Sequence, residues 1–256
     1  VVERAHPRRP DGGSVSIYPD AGALARAAAE LVIVLSEEAI AARGRFAVAL
    51  AGGSTPRTTY ALLATEEFAN RVDWPRVHIF WGDERCVPPD HIDSNYLLAQ
   101  QALLDHVPIL ASNVHRIACE KEPTHAATGY ERTLRTFFAR FSPGRSPRFD
   151  LILLGMGPDG HTASLFPGTA ALREKKRWVV AHYIESLAAW RVTLTPKVIN
   201  SAARVVFLVC GADKAERLHE VLAGPRQPDR LPAQIVRPGD GRLLWLVDSA
   251  AAVFIR

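Results

Sequence analysis

Methionine occurs once in 256 residues and cysteine three times, at Cys86, Cys119 and Cys210. An odd number of cysteines without close spacing fits neither a disulfide framework nor a zinc site. Reduced thiols and a cytoplasmic setting are therefore expected. No stretch approaches the roughly 20 consecutive apolar residues that a membrane-spanning helix needs. There is no internal repeat, coiled-coil pattern or low-complexity tract, and no nucleic-acid-binding motif. Lysine and arginine exceed aspartate and glutamate by 31 to 27, but the cations are scattered rather than gathered into a basic segment. That spread favours a small anionic molecule over nucleic acid as the partner. Residues 1–13 carry Arg4, Arg8 and Arg9 with Pro7 and Pro10 and lack an apolar core. They read as a loose, flexible leader rather than a secretion signal.

What is present is an ordinary globular balance, 48% hydrophobic and 23% charged. Residues 14–256 are expected to form a single domain with one large core. Apolar runs predict strands at 15–18, 46–50, 77–81, 114–117, 151–154, 177–181, 191–194, 204–210 and 243–247. Between them, Leu24, Ala28, Leu31, Val32, Leu35 and Ala39 recur at helical spacing, with Asp20 as N-cap and Gly44 as the stop. Further helices are expected at 58–63, from Ser94 or Asp93 to 104, at 125–141, after Thr195-Pro196, and at 215–222. Strands alternating with helices predict an α/β fold, a doubly wound, mainly parallel sheet flanked by helices.

Chemistry-bearing residues gather where strands end. The run Leu151-Ile-Leu-Leu154 empties into Gly155-Met-Gly-Pro-Asp-Gly-His161 before a short helix expected at 162–166. A strand that passes through glycines into a helix places its loop at the carboxyl edge of the sheet, where ligands bind. Gly52, Gly53, Ser54 and Thr55 follow the strand at 46–50 and suit a phosphate cradle at a helix N-terminus, although the P-loop lysine and spacing are absent. Asp83-Glu84-Arg85 follows the strand at 77–81 as a charged strand end. Gly211-Ala-Asp-Lys214 follows the strand at 204–210, and a lysine at a helix N-terminus calls for an anion close by.

These segments together resemble the 6-phosphogluconolactonase family over nearly the whole chain from Val15. The resemblance rests on Ala-Gly-Gly-Ser-Thr-Pro at 51–56, Trp-Gly-Asp-Glu-Arg at 81–85, Asp-Ser-Asn-Tyr at 93–96, and Gly-Met-Gly-Pro-Asp-Gly-His-Thr-Ala-Ser-Leu-Phe-Pro-Gly at 155–168. Arg191-Val-Thr193 and Gly211-Ala-Asp-Lys214 follow in the expected order. Glucosamine-6-phosphate deaminases share the fold but carry Asn-Glu after their Gly-His, where this chain has Leu165-Phe166-Pro167. The resemblance implies hydrolysis of a phosphorylated sugar lactone, with neither metal nor cofactor; a monomer or weak homo-oligomer is expected. It assigns His161 as the base, with Asp159 orienting it. Ser54, Thr55, Arg191 and Lys214 become candidates for the phosphate, and Asp83 and Arg85 for sugar hydroxyls or loop support. A sugar-phosphate sensor is the alternative on the same fold, but such proteins usually carry a DNA-binding helix-turn-helix, for which the leader is too short.

Overall fold

The computed structural model describes residues 13–120, 122–141 and 147–255. In chain order the elements are β1 (Ser14–Tyr18), α1 (Ala21–Arg43), β2 (Phe46–Leu50), α2 (Ser54–Leu63), α3 (Glu66–Ala69), β3 (Val77–Trp81), β4 (Asp83–Arg85), α4 (Asn95–Ala102) and α5 (Pro123–Ala139). They continue with β5 (Leu151–Leu154), β6 (Val179–Ile184), β7 (Ala189–Leu194), α6 (Pro196–Ile199), β8 (Arg204–Val209), α7 (Ala215–Ala223) and β9 (Arg242–Asp248). Asp20 caps α1 by accepting the Ala23 N–H at 2.8 Å, and Gly44 ends it at φ 71°.

Six strands form a parallel sheet in the order β1-β9-β8-β5-β2-β3. β2 and β5 are buried at every position, as central strands covered on both faces must be. From β2 the chain proceeds to β3 on one side, and from β5 to β8 on the other. The order therefore reverses between two neighbours, and the loops leaving their carboxyl ends diverge to open a crevice.

Two tyrosines finish the strands beside that crevice. The Tyr60 hydroxyl, from α2, accepts the Ala51 N–H at 3.0 Å and donates to the Ala51 carbonyl at 2.8 Å. Tyr130, from α5, does the same to Trp81 at 2.8 and 2.9 Å. Burial raises both phenols, so both remain neutral donors.

The strands near 177–181 and 191–194 form, as β6 and β7, but in a separate antiparallel sheet of order β4-β7-β6. Asp83-Glu84-Arg85, expected as a charged strand end, is itself an edge strand of that sheet, paired with Thr193-Val192-Arg191. The helix expected at 162–166 is replaced by a turn closed from the Leu165 N–H to the Thr162 carbonyl at 2.9 Å, with Ala163 at φ 48°. Side-chain bonds from Thr162 and Ser164 to neighbouring elements outweigh helix formation there. The strand expected at 114–117 reduces to one bridge between Val114 and Ile79.

Cys86 and Cys119 form a disulfide, against the expectation of three reduced thiols. Cys86 follows β4, and Cys119 follows the Val114 bridge to β3, so folding brings residues 33 apart in sequence to a Cα separation of 4.7 Å. Spacing along the chain carries no signal of such an approach. Cys210 remains free. The leader at 1–13 lies, apart from Gly13, outside the described residues. Among the described residues no helix is long and apolar enough to cross a membrane.

Near the amino end of β3, away from the crevice, His78 stacks on His115 with ring centroids 5.7 Å apart and meets Phe137 at 4.8 Å. Burial, with the charges of His115, Arg45 and Arg140, lowers His78 from 6.5 to about 4. Between those two values the unfolded chain binds the proton and the folded chain resists it, so stability falls as pH drops through the window. His78→Phe keeps the stack and removes the titrating ring. Its unfolding midpoint should therefore fall less than that of the wild type between pH 6.5 and 4, and equal falls in thermal melts would refute the assignment.

Candidate active site

Diverging loops leave a cleft of about 180 Å³ lined by Gly52, Gly53, Asp83, Arg85 and His161, with Asn95, Met156 and Ala163. Ser54, Thr55, Asp159, Arg191 and Lys214 are not part of that lining.

His161 owes its position to a tight turn after β5. The Gly160 N–H donates to the Gly157 carbonyl at 3.0 Å, and the Gly157 N–H donates to the His161 carbonyl at 2.9 Å. Asp159 Oδ1 then accepts both the His161 N–H at 3.1 Å and His161 Nδ1 at 2.5 Å. Although only two residues apart, the side chains converge. A carboxylate only accepts, so in the neutral ring the hydrogen sits on Nδ1 and Nε2 keeps its lone pair. Burial acts to raise the Asp159 carboxyl, but the hydrogen bond and charge of His161 carry it below its ordinary value. Phe166 stacks on the imidazole with centroids 4.1 Å apart. A Cβ on Gly157 would lie 2.1 Å from the imidazole Cε1 and Nδ1, so only glycine admits the ring here.

On the β4 side, Arg85 and Arg191 are cross-strand partners. Burial and the adjacent Arg85 lower Arg191, and neither guanidinium has an ion-pair partner among the described residues. Their hydrogen bonds go to carbonyls: Arg85 to Asp93 at 2.7 Å and Arg191 to Trp190 at 3.2 Å. Paired cations with donors to spare form an anion-seeking surface.

On the β8 side lies the N-terminus of α2. This helix begins at Ser54 rather than at residue 58, because Pro56 is tolerated in a first turn, and no side chain caps it. Free first-turn N–H groups of Ser54 and Thr55 suit an anion. The Thr55 side chain lies close enough to the Cys210 thiol to favour its ionised form, while burial, the larger effect, pushes it up to about 11. The cradle and the loop after β8 are thus neighbours. Lys214, in that loop, already has a counter-charge in Asp213 at 3.0 Å.

Asp83 and Glu84 are both buried and hydrogen-bonded to neighbouring elements, and Asp83 also lines the cleft. Ser164 Oγ donates to Asp83 Oδ2 at 2.6 Å, and Asn95 Nδ2 donates to the Asp83 carbonyl at 3.0 Å. Glu84 accepts the Asn95 N–H at 2.8 Å and the Tyr96 N–H at 2.9 Å, placing its carboxyl group at the start of α4. Burial pushes its carboxyl up to about 7 against the pull of those N–H donors. A Cβ on Gly52 would fall 1.8 Å from Asn95 Oδ1, which explains a glycine at that point of the cradle. Sequence reasoning did not single out Asn95, Ala163 or Ser164 as site residues. Among the described residues no group of three or more His, Cys, Asp or Glu side chains could hold a metal ion.

Residues 19–245 match the family described as glucosamine-6-phosphate isomerases/6-phosphogluconolactonase. A 6-phosphogluconolactonase of Nostoc sp. is 42% identical across 93% of this chain and 96% of its own length. The solved 6-phosphogluconolactonase of Trypanosoma brucei superposes with a TM-score of 0.81 at 31% identity, covering 94% of this chain and 98% of that one. A monomeric glucosamine-6-phosphate deaminase, 21% identical with a TM-score of 0.77, shares the fold. With a family match over nearly its full length and a relative this similar across both chains, the protein belongs to the glucosamine-6-phosphate isomerase/6-phosphogluconolactonase family.

Proposed function

We propose that this protein hydrolyses 6-phospho-D-glucono-1,5-lactone to 6-phospho-D-gluconate, with His161 activating the attacking water. The observation that carries the proposal is the bond from His161 Nδ1 to Asp159, which leaves Nε2 as a base on the cleft wall. Nε2 takes a proton as water oxygen attacks the lactone carbonyl carbon. The tetrahedral intermediate then collapses, the bond from that carbon to the ring oxygen breaks, and the imidazolium returns its proton to the departing oxygen. Asp159 holds the ring and favours the imidazolium as it forms. General base catalysis of this kind supplies roughly 10²- to 10⁴-fold, enough to matter for an activated ester.

Within the family, Phe166 favours the lactonase over the deaminase. The deaminases place a carboxylate in the stretch that here reads Leu165-Phe166-Pro167, and the Phe166 ring lies against His161 instead. Phosphate recognition falls to Ser54, Thr55, Arg191 and Lys214, with Arg85 beside Arg191. Binding energy from the phosphate, remote from the carbonyl, holds the ring for attack.

His161→Asn should lower kcat by at least about 10²-fold with KM nearly unchanged; steady-state rates corrected for spontaneous hydrolysis check this, and an undiminished kcat would remove His161 from the reaction. Gly157→Ala should cost a similar factor of about 10² by displacing the ring. Retained activity in that variant would mean that the imidazole need not lie where it does. Lys214→Ala and Arg191→Ala separate the two cationic flanks. Whichever holds phosphate should raise KM for the phosphorylated lactone about 10-fold or more, as expected for a lost charged hydrogen bond, and leave hydrolysis of glucono-1,5-lactone unaffected. Unchanged KM in both variants would place the phosphate elsewhere.

A further inference from the structure

We propose that His182 is a positioning residue for the hydrolysis, holding the turn that follows His161 against the second sheet; this rests on the reading of His161 as the base. The turn needs holding because Ala163, which lines the cleft, has φ 48°, a left-handed conformation unfavourable for a residue with a Cβ. Such a conformation persists only where its surroundings over-determine it, and that happens preferentially at active sites.

Four side-chain bonds do so here. Thr162 Oγ donates to the Gly155 carbonyl at 2.9 Å, and Ser164 Oγ donates to Asp83 Oδ2 at 2.6 Å. The Ser164 N–H donates to Thr193 Oγ at 3.3 Å. His182 Nε2 meets the Ser164 carbonyl at 2.8 Å. A carbonyl only accepts, so Nε2 carries the hydrogen. Ser164 is thus gripped at its N–H, its hydroxyl and its carbonyl, the last from β6. Thr162, Ser164 and Thr193 are at most 1% exposed, so none of them can exchange its partner for water.

His182 is also the cross-strand partner of Arg191. Burial lowers its pKa and the charge of Arg191 adds to the effect, while the bond to Ser164 opposes them. One imidazole on β6 therefore touches the backbone behind the proposed base and stands beside a proposed phosphate ligand. A histidine that merely capped a carbonyl would affect stability without affecting turnover. A positioning histidine affects turnover because the Ser164 carbonyl is three residues from the reacting imidazole.

The test uses the full chain and three variants. The amide nitrogen of Gln reaches about as far as imidazole Nε2, whereas that of Asn falls short while remaining a polar amide. His182→Asn should lower kcat about 10- to 100-fold, the scale of a small misplacement of a reacting group, with KM for the phosphorylated lactone within about two-fold. His182→Gln should recover kcat to within about three-fold of wild type, and the two variants should melt within a few degrees of each other. Full kcat in the Asn variant, no recovery in the Gln variant, or a loss confined to KM would each overturn the proposal. His161→Asn, measured alongside, tells the two readings apart. If it is inactive while His182→Asn is unimpaired, only the positioning role fails; if it retains full turnover, the base itself has been misassigned.

Discussion

A parallel strand that ends beside a polar crevice must hand its last backbone groups to new partners before its loop can turn away, because an unpaired buried N–H or C=O is costly. This chain meets that constraint twice with the same device, a tyrosine hydroxyl that both accepts from and donates to one residue: Tyr60 at Ala51 and Tyr130 at Trp81. A third tie, from the Gly82 N–H to the Leu50 carbonyl at 2.9 Å, links the two strand ends directly. The cradle at Gly52 and the edge strand at Asp83 thus start from fixed points, and the placement of cleft groups follows from helix packing several residues away.

Carboxylates in this protein divide by what they face. Asp83 and Glu84 are buried and accept N–H and O–H donors that hold α4 and the turn after His161. Asp159 faces an imidazole and is held as the anion by it. Three acids within one region therefore do different work because their donors differ. The cations divide likewise: Lys214 has Asp213 at salt-bridge distance, whereas Arg85 and Arg191 bond carbonyls and have no ion-pair partner among the described residues, with Asp83, Asp93 and Glu84 acting on Arg191 from farther away.

Much of this was legible in the sequence. Apolar runs located the parallel strands, and the glycine-rich loops after 46–50 and 151–154 located the crevice, because both signals are local. Asp159 was expected to orient His161, but that two side chains only two residues apart meet follows from the turn bonds between Gly157 and His161. What escaped depends on approach between distant segments. Nothing in Asp83-Glu84-Arg85 announces a strand, since its partner at 191–193 lies more than a hundred residues later. The requirement for glycine at Gly52 comes from Asn95 Oδ1, a neighbour only in the fold. Ala163 has no local reason to be left-handed, and Thr162-Ala-Ser-Leu reads as helix until the bonds made by Ser164 are known.

The bridge between Cys86 and Cys119 encloses α4 and with it the Ser94, Asn95 and Tyr96 groups that meet Glu84. By chain-entropy reasoning a closed loop of this length removes about 3–4 kcal/mol of freedom from the unfolded ensemble. The same bond anchors the residue next to Arg85 to the segment beyond the Val114 bridge, so a local opening of α4 would leave that end of β4 tied in place.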